Sequence, residues 1–546
     1  MSRLAILAVA CLLGVALLTS TGAASVSVST PTPQRPATPA APITATASPP
    51  TPGPSSTALP PASTAVPTAT TAPLDPPELR GVWVDAFHDG IKTPAQVDDL
   101  VSWARQANVN ALFVQVRRRG DAYYARSREP RTEDPDLQPD FDPLQYLIDR
   151  AHQGPQRLQV HAWLATLPIW LKRDTPPSDP KHPFNLHGFD DGSGNSWLML
   201  RSDGAAWAGQ GDAGMYYLDP GNPAVARYTA DVAADVVRSY DVDGIHLDQV
   251  RYYEGDAGTW GYNPTSVARF NQRYGRDPLS QPDPDDPTWA AWRREQVTAL
   301  VRRVALEVKA VKPSVALTAA VVGWGKGPDA DPVAWQRTAP YTVVFQDWEQ
   351  WLLDGIVDYV VPMDYYREAD PQASWFDNWT SWQTAHRGQR GVVLGVGTYL
   401  NDSDGAMAQL RRARALGSLG VALYSYAVPW KDGSNGTADG RGATAAWLRG
   451  LFLRPAPIPE LPWQGRPVSG LLVDVPGHEN AQVRLEGPVA RQWATDGAGG
   501  AGGTDLLPGD YRLTVIAPDV DPAPVWLHLI PGRTTVVRFT PRPAVS

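Results

Sequence analysis

From residue 78 onward the apolar residues of the chain follow two patterns in alternation, one typical of helices and one typical of strands. Stretches whose apolar positions recur at helical spacing predict helices over 94–107, 222–239, 290–311, 404–416 and 443–451. Between them, short runs rich in β-branched and aromatic residues predict strands over 79–87, 110–116, 158–165, 242–248, 315–322, 359–365, 392–399 and 420–427. Eight strands with intervening helices predict an α/β fold, a (β/α)8 barrel over 78–454 with long loops after its strands. A doubly wound open sheet is the second choice.

The pattern becomes all-β near the C-terminus. Alternating apolar and polar residues predict strands over 468–473, 481–485, 511–516 and 534–539. The glycine-rich segment 497–503 predicts a flexible loop between two of these strands. We therefore expect a linker over 455–466, followed by a small β-sandwich domain over 467–546.

The first 77 residues differ in composition from the rest of the chain. Arg3, the apolar run 4–18 and the small residues at 22–24 predict a secretory signal over 1–24. The segment 25–77 is rich in proline, threonine, alanine and serine, which predicts an extended linker that does not fold by itself. We therefore expect an exported protein of the cell envelope or the extracellular space. The run 4–18 would tether it to a membrane if the signal stays uncleaved.

Charge and motif content exclude several classes of function. The 546-residue chain has a net charge of −9, which argues against a nucleic-acid partner because phosphate binding requires a basic surface. The single cysteine, Cys11, lies within the signal, so we expect neither an intramolecular disulfide nor a thiolate metal cluster. The sequence lacks a phosphate-binding glycine loop after a strand and a tight metal-ligand spacing. We therefore expect no cofactor and no metal.

The carboxyl ends of the predicted strands are where a (β/α)8 barrel places its active site. Side-chain alternation puts His246 and Asp248 on one face of the fourth strand, with Asp248 at its end. Because the intervening residues are apolar, we expect the polar face to line the barrel lumen. The same reasoning selects polar and aromatic residues on the other strands: Asp85, Arg117, His161, Trp163, Asp364, Tyr365, Tyr366 and Tyr424.

A barrel mouth with carboxylates, an arginine and many aromatic rings indicates a carbohydrate site. Tryptophan and tyrosine rings stack on the apolar faces of sugars, while charged and polar side chains bond to the hydroxyl groups. Hydrolysis of a glycosidic bond requires two carboxyl groups, one protonated and one ionised. The candidates are Asp248, Asp364, Asp85 and Glu129. By sequence position alone, Glu129 is more typical of a surface charge in the loop after the second strand.

Several motifs occur in one order along the barrel region. They are ELRGVWVD at 78–85, FVQVR at 113–117, GDAYY at 120–124, Glu-Pro at 129–130, HAW at 161–163, YLDPGNP at 217–223, DVDGIHLD at 241–248, Arg-Tyr at 251–252 and VPMDYY at 361–366. In combination they resemble the glycosyl hydrolase-like 10 family over most of residues 78–430. The resemblance implies a TIM-barrel enzyme of the bacterial envelope, similar to a glycosidase that acts on peptidoglycan strands stripped of their peptides. The segment LPGDY at 507–511 resembles a turn of carboxypeptidase regulatory-like domains.

The resemblance also implies roles for individual residues. The family's glutamate after the second strand falls on Glu129, which would be the acid or the base. The aspartate that ends the fourth strand falls on Asp248, a candidate partner carboxylate. Arg251 and Tyr252 occupy the motif that follows this strand, and we expect them to bind substrate.

We therefore expect an exported glycoside hydrolase that cleaves cell-envelope polysaccharide. The first candidate for its substrate is the glycan strands of peptidoglycan. Glu129, Asp248 and Asp364 are the catalytic candidates, and the other selected residues would bind the sugar. The alternative is a non-catalytic glycan-binding protein built on a glycosidase-like barrel. The sequence leaves open the sugar, the linkage and whether the anomeric configuration is retained or inverted.

Overall fold

The computed structural model describes residues 74–540, apart from 155, 172–174, 190–193, 195, 208–213, 256–257, 332 and 522. The predicted signal over 1–24 and nearly all of the predicted linker over 25–77 lie outside the described residues. Within the described part of the chain, no helix is both long enough and apolar enough to cross a membrane.

Within the described residues, eight parallel strands close into a barrel. They are β1 (Leu79–Val84), β2 (Ala111–Arg117), β3 (Gln159–Ala165), β4 (Gly244–Asp248), β5 (Ala316–Val322), β6 (Tyr359–Asp364), β7 (Gly391–Val396) and β8 (Gly420–Leu423). Each strand pairs with its neighbours in sequence, and β1 pairs with β8 to close the ring. The predicted (β/α)8 barrel is confirmed, and the open sheet is not formed.

Helices connect the strands and cover the outside of the barrel. In the described chain they are Pro94–Gln106, Pro143–His152, Pro183–His187, Pro223–Ser239, Pro264–Arg273, Pro287–Val311, Ala339–Thr342, Trp348–Leu353, Gln372–Ala385, Ser403–Ala415 and Ala438–Arg449. The helices after Thr93, Asp142, Asn222, Asn263 and Asp286 begin in the same way. The capping side chain accepts a backbone N–H of the first turn, and the following proline supplies a helical φ without an unpaired N–H.

The lumen of the barrel is filled by alternate side chains in layers. In the lower layer, the Phe113 and His161 rings lie 5.0 Å apart and the Tyr359 hydroxyl contacts His161. Above it, Trp83 Nε1 donates a hydrogen bond to His246 Nε2 at 3.0 Å. These buried side chains make the lumen a packed core, so substrate chemistry is confined to the mouth above them.

The C-terminal domain consists of two β-sheets in the described residues. Its strands are β9 (Ser469–Asp474), β10 (Gln482–Glu486), β11 (Arg491–Ala494), β12 (Gly500–Leu506), β13 (Gly509–Ile516), β14 (Val525–Leu529) and β15 (Thr534–Arg538). The sheets have the orders β12-β9-β15 and β11-β10-β13-β14. Buried side chains such as Leu471, Val483 and Leu513 form their common core, as the predicted β-sandwich requires.

The prediction of a flexible loop over 497–503 is wrong for its second half, which begins strand β12. Gly502 has a φ of +143°, and a Cβ there would lie 1.8 Å from the carbonyl oxygen of Leu471. Glycine is therefore required by the close approach of β12 to β9, where the sequence pattern alone indicates flexibility.

The β-sandwich packs against the helix Pro287–Val311 and the barrel, and residues 74–540 belong to one compact unit. Among the described residues, three ion pairs cross this contact. Arg303 pairs with Asp474 at 3.2 Å, Arg269 with Glu479 at 2.7 Å, and Arg390 with Asp505 at 2.8 Å. Because the arginines are at least nine-tenths buried, removing an acidic partner would leave a buried charge unpaired at the domain contact.

Candidate active site

Asp248 ends β4 and presents a half-buried carboxyl group at the barrel mouth. Its Oδ2 accepts a hydrogen bond from Trp163 Nε1 at 3.0 Å, and its Oδ1 accepts one from the backbone N–H of Gln249 at 2.7 Å. Burial raises the pKa of Asp248, although the positive charge of Arg251 and both hydrogen bonds act in the opposite direction. Asp248 therefore keeps its proton to higher pH than an ordinary aspartate, as a general acid requires.

Aromatic rings line the mouth beside Asp248. The Tyr424 ring centre lies 6.5 Å from that of Trp163 and 5.5 Å from that of Tyr365. Tyr399, which follows β7, extends the group at 6.0 Å from Tyr365. The three tyrosines are only partly buried, so their rings are available to stack on a sugar.

Glu129, in the loop after β2, forms a buried ion pair with Arg117. Arg117 Nε lies 2.8 Å from Oε2, and Arg117 Nη2 lies 2.8 Å from Oε1. The Tyr228 hydroxyl donates a further hydrogen bond to Oε1. The Glu129 side chain is fully buried, and that of Arg117 is 3% exposed. Burial disfavours the charge on Arg117, but the attraction of Glu129 outweighs this effect and raises the pKa of Arg117.

Arg117 also connects this ion pair to the neighbouring strand. Its Nη1 donates hydrogen bonds to the backbone carbonyls of Ala165 and Thr166, at the end of β3. The pair therefore holds the loop after β2 against the rim of the barrel. In this geometry Glu129 is an enclosed carboxylate beside the mouth.

Asp85 closes the loop after β1. Its Oδ1 accepts hydrogen bonds from the backbone N–H groups of Phe87 and His88, at 2.9 and 3.1 Å. The His88 ring lies 2.8 Å from the same oxygen, and this hydrogen bond raises the pKa of His88. Asp85 is 3% exposed, so it is placed to shape the mouth rather than to present a free carboxylate.

The structure does not bring Asp364 into the mouth. Its neighbours Val361 and Tyr365 face the lumen and the mouth, so Asp364 faces the surrounding helices. Its Oδ1 accepts a hydrogen bond from Gln383 Nε2 at 2.9 Å, on the helix Gln372–Ala385. Burial raises the pKa of Asp364 to about 8. Tyr366 points the same way, and its hydroxyl donates to the carbonyl of Gly325 at 2.8 Å.

Both predicted histidines lie below the mouth, within the lumen. His246 Nδ1 contacts Thr318 Oγ1 at 2.8 Å while its other ring nitrogen accepts from Trp83. Burial lowers the pKa of His246 well below its ordinary value and that of His161 to about 4. Both rings are therefore neutral near pH 7 and support the residues above them without reaching a substrate.

Of the two predicted residues in the loop after β4, Arg251 lies at the mouth and Tyr252 does not. Arg251 is buried, forms an ion pair with Glu254, and lies with its guanidinium 5.1 Å from the ring centre of Trp324. Tyr252 is fully buried against Phe345, with ring centres 5.6 Å apart, and does not line the mouth.

Sequence reasoning missed Glu254, Trp324 and Tyr399, which lie in loops beyond the strand ends. The side chain of Glu254 is 32% exposed, and its charge further raises the pKa of Asp248. Its position three residues after Arg251 is the sequence signal that could have identified it. The mouth therefore holds one carboxyl group with a raised pKa, that of Asp248, and a second carboxyl group, that of Glu254, within its electrostatic reach.

A cavity of about 1010 Å³ lies at the opposite end of the barrel, between the strand starts, the segment 458–466 and the β-sandwich. The predicted site residues do not line it. Its charged groups are largely paired, as in the contact between Arg157 and Asp243 at 2.6 Å. The residues suited to chemistry are thus at the mouth, as the barrel fold predicts.

A closed parallel barrel whose aromatic mouth holds a carboxyl group with a raised pKa is typical of proteins built like glycoside hydrolases. Residues 78–403 match the family described as Glycosyl hydrolase-like 10, and the chain belongs to this family. The match confirms the family resemblance of the barrel region, while the carboxypeptidase regulatory-like character of the C-terminal domain stays a prediction.

Two curated relatives show how far the similarity extends. The chain is 24% identical over 419 residues to Glycosyl hydrolase YngK of Bacillus subtilis (strain 168), covering 71% of this chain and 74% of that protein. It is 25% identical over 294 residues to Glycosyl hydrolase DigH of Escherichia coli (strain K12), covering 50% of this chain and 58% of that protein. Among solved structures, the PgaB (BpsB) glycoside hydrolase domain from Bordetella bronchiseptica matches with a TM-score of 0.47 and 16% identity, covering 69% of this chain and 99% of that one.

Proposed function

We propose that this protein is an exported glycoside hydrolase that cleaves cell-envelope polysaccharide, with the glycan strands of peptidoglycan as its substrate. The observation that carries the proposal is the half-buried carboxyl of Asp248, whose pKa burial raises, in a mouth walled by tyrosine and tryptophan rings. Membership of the Glycosyl hydrolase-like 10 family supports the reaction type. The substrate and the location are supported only by the family resemblance and by the predicted signal.

In the proposed reaction, Asp248 donates its proton to the glycosidic oxygen as the bond to the anomeric carbon breaks. The Trp163 N–H group holds the carboxyl in place and stabilises the carboxylate that forms. Water supplies a hydroxyl group to the anomeric carbon, and its remaining proton returns to the pair of carboxyl groups. The products are two shorter glycans, one of which has a new reducing end.

Two residues compete for the role of the second carboxylate. Glu129 stays the residue predicted from the family motif, and its enclosure by Arg117 and Tyr228 means that this ion pair must open or shift before Glu129 contacts substrate. Glu254 is the alternative from the structure, because it lies in the mouth and is more exposed. Substituting each residue separately distinguishes the two roles.

The test uses purified peptidoglycan strands, with and without stem peptides, and mass spectrometry of the products. We expect the wild type to release fragments with new reducing ends, and Asp248→Asn to lower kcat by about 10²- to 10⁴-fold, the usual effect of losing a general acid. Glu129→Gln and Glu254→Gln identify the second carboxylate. Asp136→Asn is the matched control, because Asp136 lies in the same loop after β2 as Glu129 and its side chain is 72% exposed.

Two results would contradict this proposal. Undiminished hydrolysis by Asp248→Asn would remove Asp248 from the reaction. Retention of the wild type on cell wall without new reducing ends would favour the alternative, a non-catalytic glycan-binding protein. Fractionation of cells that express the full chain tests the proposed export.

A further inference from the structure

In the described part of the β-sandwich, the outer face of the sheet β11-β10-β13-β14 carries a single large aromatic side chain. Trp526 lies on β14, an edge strand, and 72% of its surface is exposed. Its inward-facing neighbours Leu527 and Leu529 pack toward the domain core. The exposure of Trp526 therefore does not result from a loosely packed strand.

Strand register places charged groups in line with Trp526 across the sheet. Trp526 is paired with Arg512 on β13, and Arg512 is paired with Glu486 on β10. Arg512 Nη1 lies 3.0 Å from Glu486 Oε2. At ~4.8 Å between neighbouring strands, this row extends for about 10 Å across the face.

Two adjacent rows continue the same polar surface. On one side, His528 pairs with Asp510, with Nδ1 and Oδ1 2.7 Å apart. On the other, Thr514 pairs with Arg484. The face thus combines one broad, exposed ring with hydrogen-bond donors and acceptors at regular spacing.

This combination fits a sugar chain better than a protein partner. The cores of protein interfaces are depleted of charged residues, whereas charged side chains flank Trp526 on this face. A tryptophan ring offers an apolar surface for the CH face of a sugar, and guanidinium and carboxylate groups bond to its hydroxyls. The Arg512–Glu486 and His528–Asp510 pairs are solvent-exposed, so they can exchange water for sugar hydroxyls at low cost.

We propose that the face of the sheet β11-β10-β13-β14 around Trp526 is a second glycan-binding site, which holds a strand of the polysaccharide substrate away from the barrel mouth. The substrate class rests on the proposed function. Ion pairs such as Arg303–Asp474 and Arg390–Asp505 fix the sandwich to the barrel. Binding at Trp526 therefore raises the local concentration of polymer at the mouth without taking part in bond cleavage.

The experiment measures co-sedimentation of the full chain with intact, insoluble peptidoglycan sacculi. Asp248→Asn serves as the parent, so that the polymer stays intact. Adding Trp526→Ala should raise the apparent Kd by about tenfold, the usual order for the loss of one aromatic stacking contact. Adding Trp526→Phe should restore most of the binding, and Val536→Ala is the control, since Val536 is 39% exposed on β15, in the other sheet of the sandwich.

The catalytic readout separates this site from the mouth. With the catalytic residues intact, Trp526→Ala should slow hydrolysis of insoluble sacculi and leave hydrolysis of short soluble glycan fragments unchanged. Equal sedimentation of the parent and the Trp526→Ala variant would overturn the second site, as would a loss that Val536→Ala reproduces. Because sedimentation does not require hydrolysis, failure of the proposed reaction would be visible separately, as an absence of cleaved products from the wild type.

Discussion

The Arg117–Glu129 ion pair provides a test that separates a structural role of Glu129 from a catalytic one. Both side chains are removed from water, and Glu129 accepts hydrogen bonds from two guanidinium nitrogens and from Tyr228. Replacing Glu129 by leucine leaves the Arg117 charge buried without its partner. A loss of activity in such a variant has two physical explanations, and stability measurements distinguish between them.

Breaking a buried ion pair by removing one partner typically costs about 3–5 kcal/mol. Arg117 keeps its bonds to the carbonyls of Ala165 and Thr166, so we expect Glu129→Leu to cost about 3 kcal/mol, near the lower limit of that range. For a barrel of roughly 380 residues, this corresponds to a fall in Tm of roughly 4 °C. Glu129→Gln should cost less, since the amide oxygen still accepts a hydrogen bond from Arg117.

Differential scanning calorimetry of the wild type, Glu129→Leu, Arg117→Met and the double variant measures this coupling. The double variant should be more stable than the sum of the single losses predicts, because it leaves neither charge unpaired. A Tm of Glu129→Leu within about 1 °C of the wild type would refute the structural account, since loss of a buried ion pair shifts Tm by more than this. If hydrolysis were lost in that same variant, the result would favour a catalytic role.

Two further predictions follow from the hydrogen bonds and the burial of the strand-end aspartates. Trp163→Phe removes a donor that favours ionised Asp248, so the pKa of Asp248 should rise further and the basic limb of kcat/KM against pH should move to higher pH. An unmoved basic limb would contradict this assignment of the acid. For Asp364, burial raises the pKa from 3.8 to about 8, so between these values the folded protein holds a proton that the unfolded chain has lost. Stability should therefore fall as pH rises through this window. Asp364→Asn should flatten the dependence of Tm on pH there, and an unchanged slope would count against this burial.

The two strand-end aspartates also show what the sequence pattern could predict about the site. In β4, Ile245 and Leu247 contrast with His246 and Asp248, so alternation assigned the lumen face correctly. In β6 the residues before Asp364 are apolar on both faces, and the pattern lacks that contrast. The strand itself was predicted, but the direction of its last carboxyl group depends on which face the helix layer covers.

Contacts between distant segments could not be predicted in this way. Glu129 is typical of a surface charge in its own loop, yet its burial depends on Tyr228, 99 residues away on the helix Pro223–Ser239. Glu254 and Trp324 belong to loops after different strands and meet only through Arg251. By contrast, the Asp-Pro and Asn-Pro starts of the helices Pro143–His152 and Pro264–Arg273 are local signals that the sequence contains and that periodicity alone overlooked.

The layered lumen explains why Asp248 is the carboxyl group best placed for acid catalysis. Trp83 and His246 fill the barrel directly below the mouth, and their mutual hydrogen bond leaves neither polar group in need of another partner. Asp248 therefore lies at the boundary between a packed apolar interior, which favours its proton, and an open mouth, which admits substrate. The Trp163 N–H group fixes its orientation at that boundary. Asp364 is also an aspartate at a strand end, but its carboxyl group is buried where substrate cannot reach it. This difference in surroundings distinguishes the proposed acid, Asp248, from a buried neutral group.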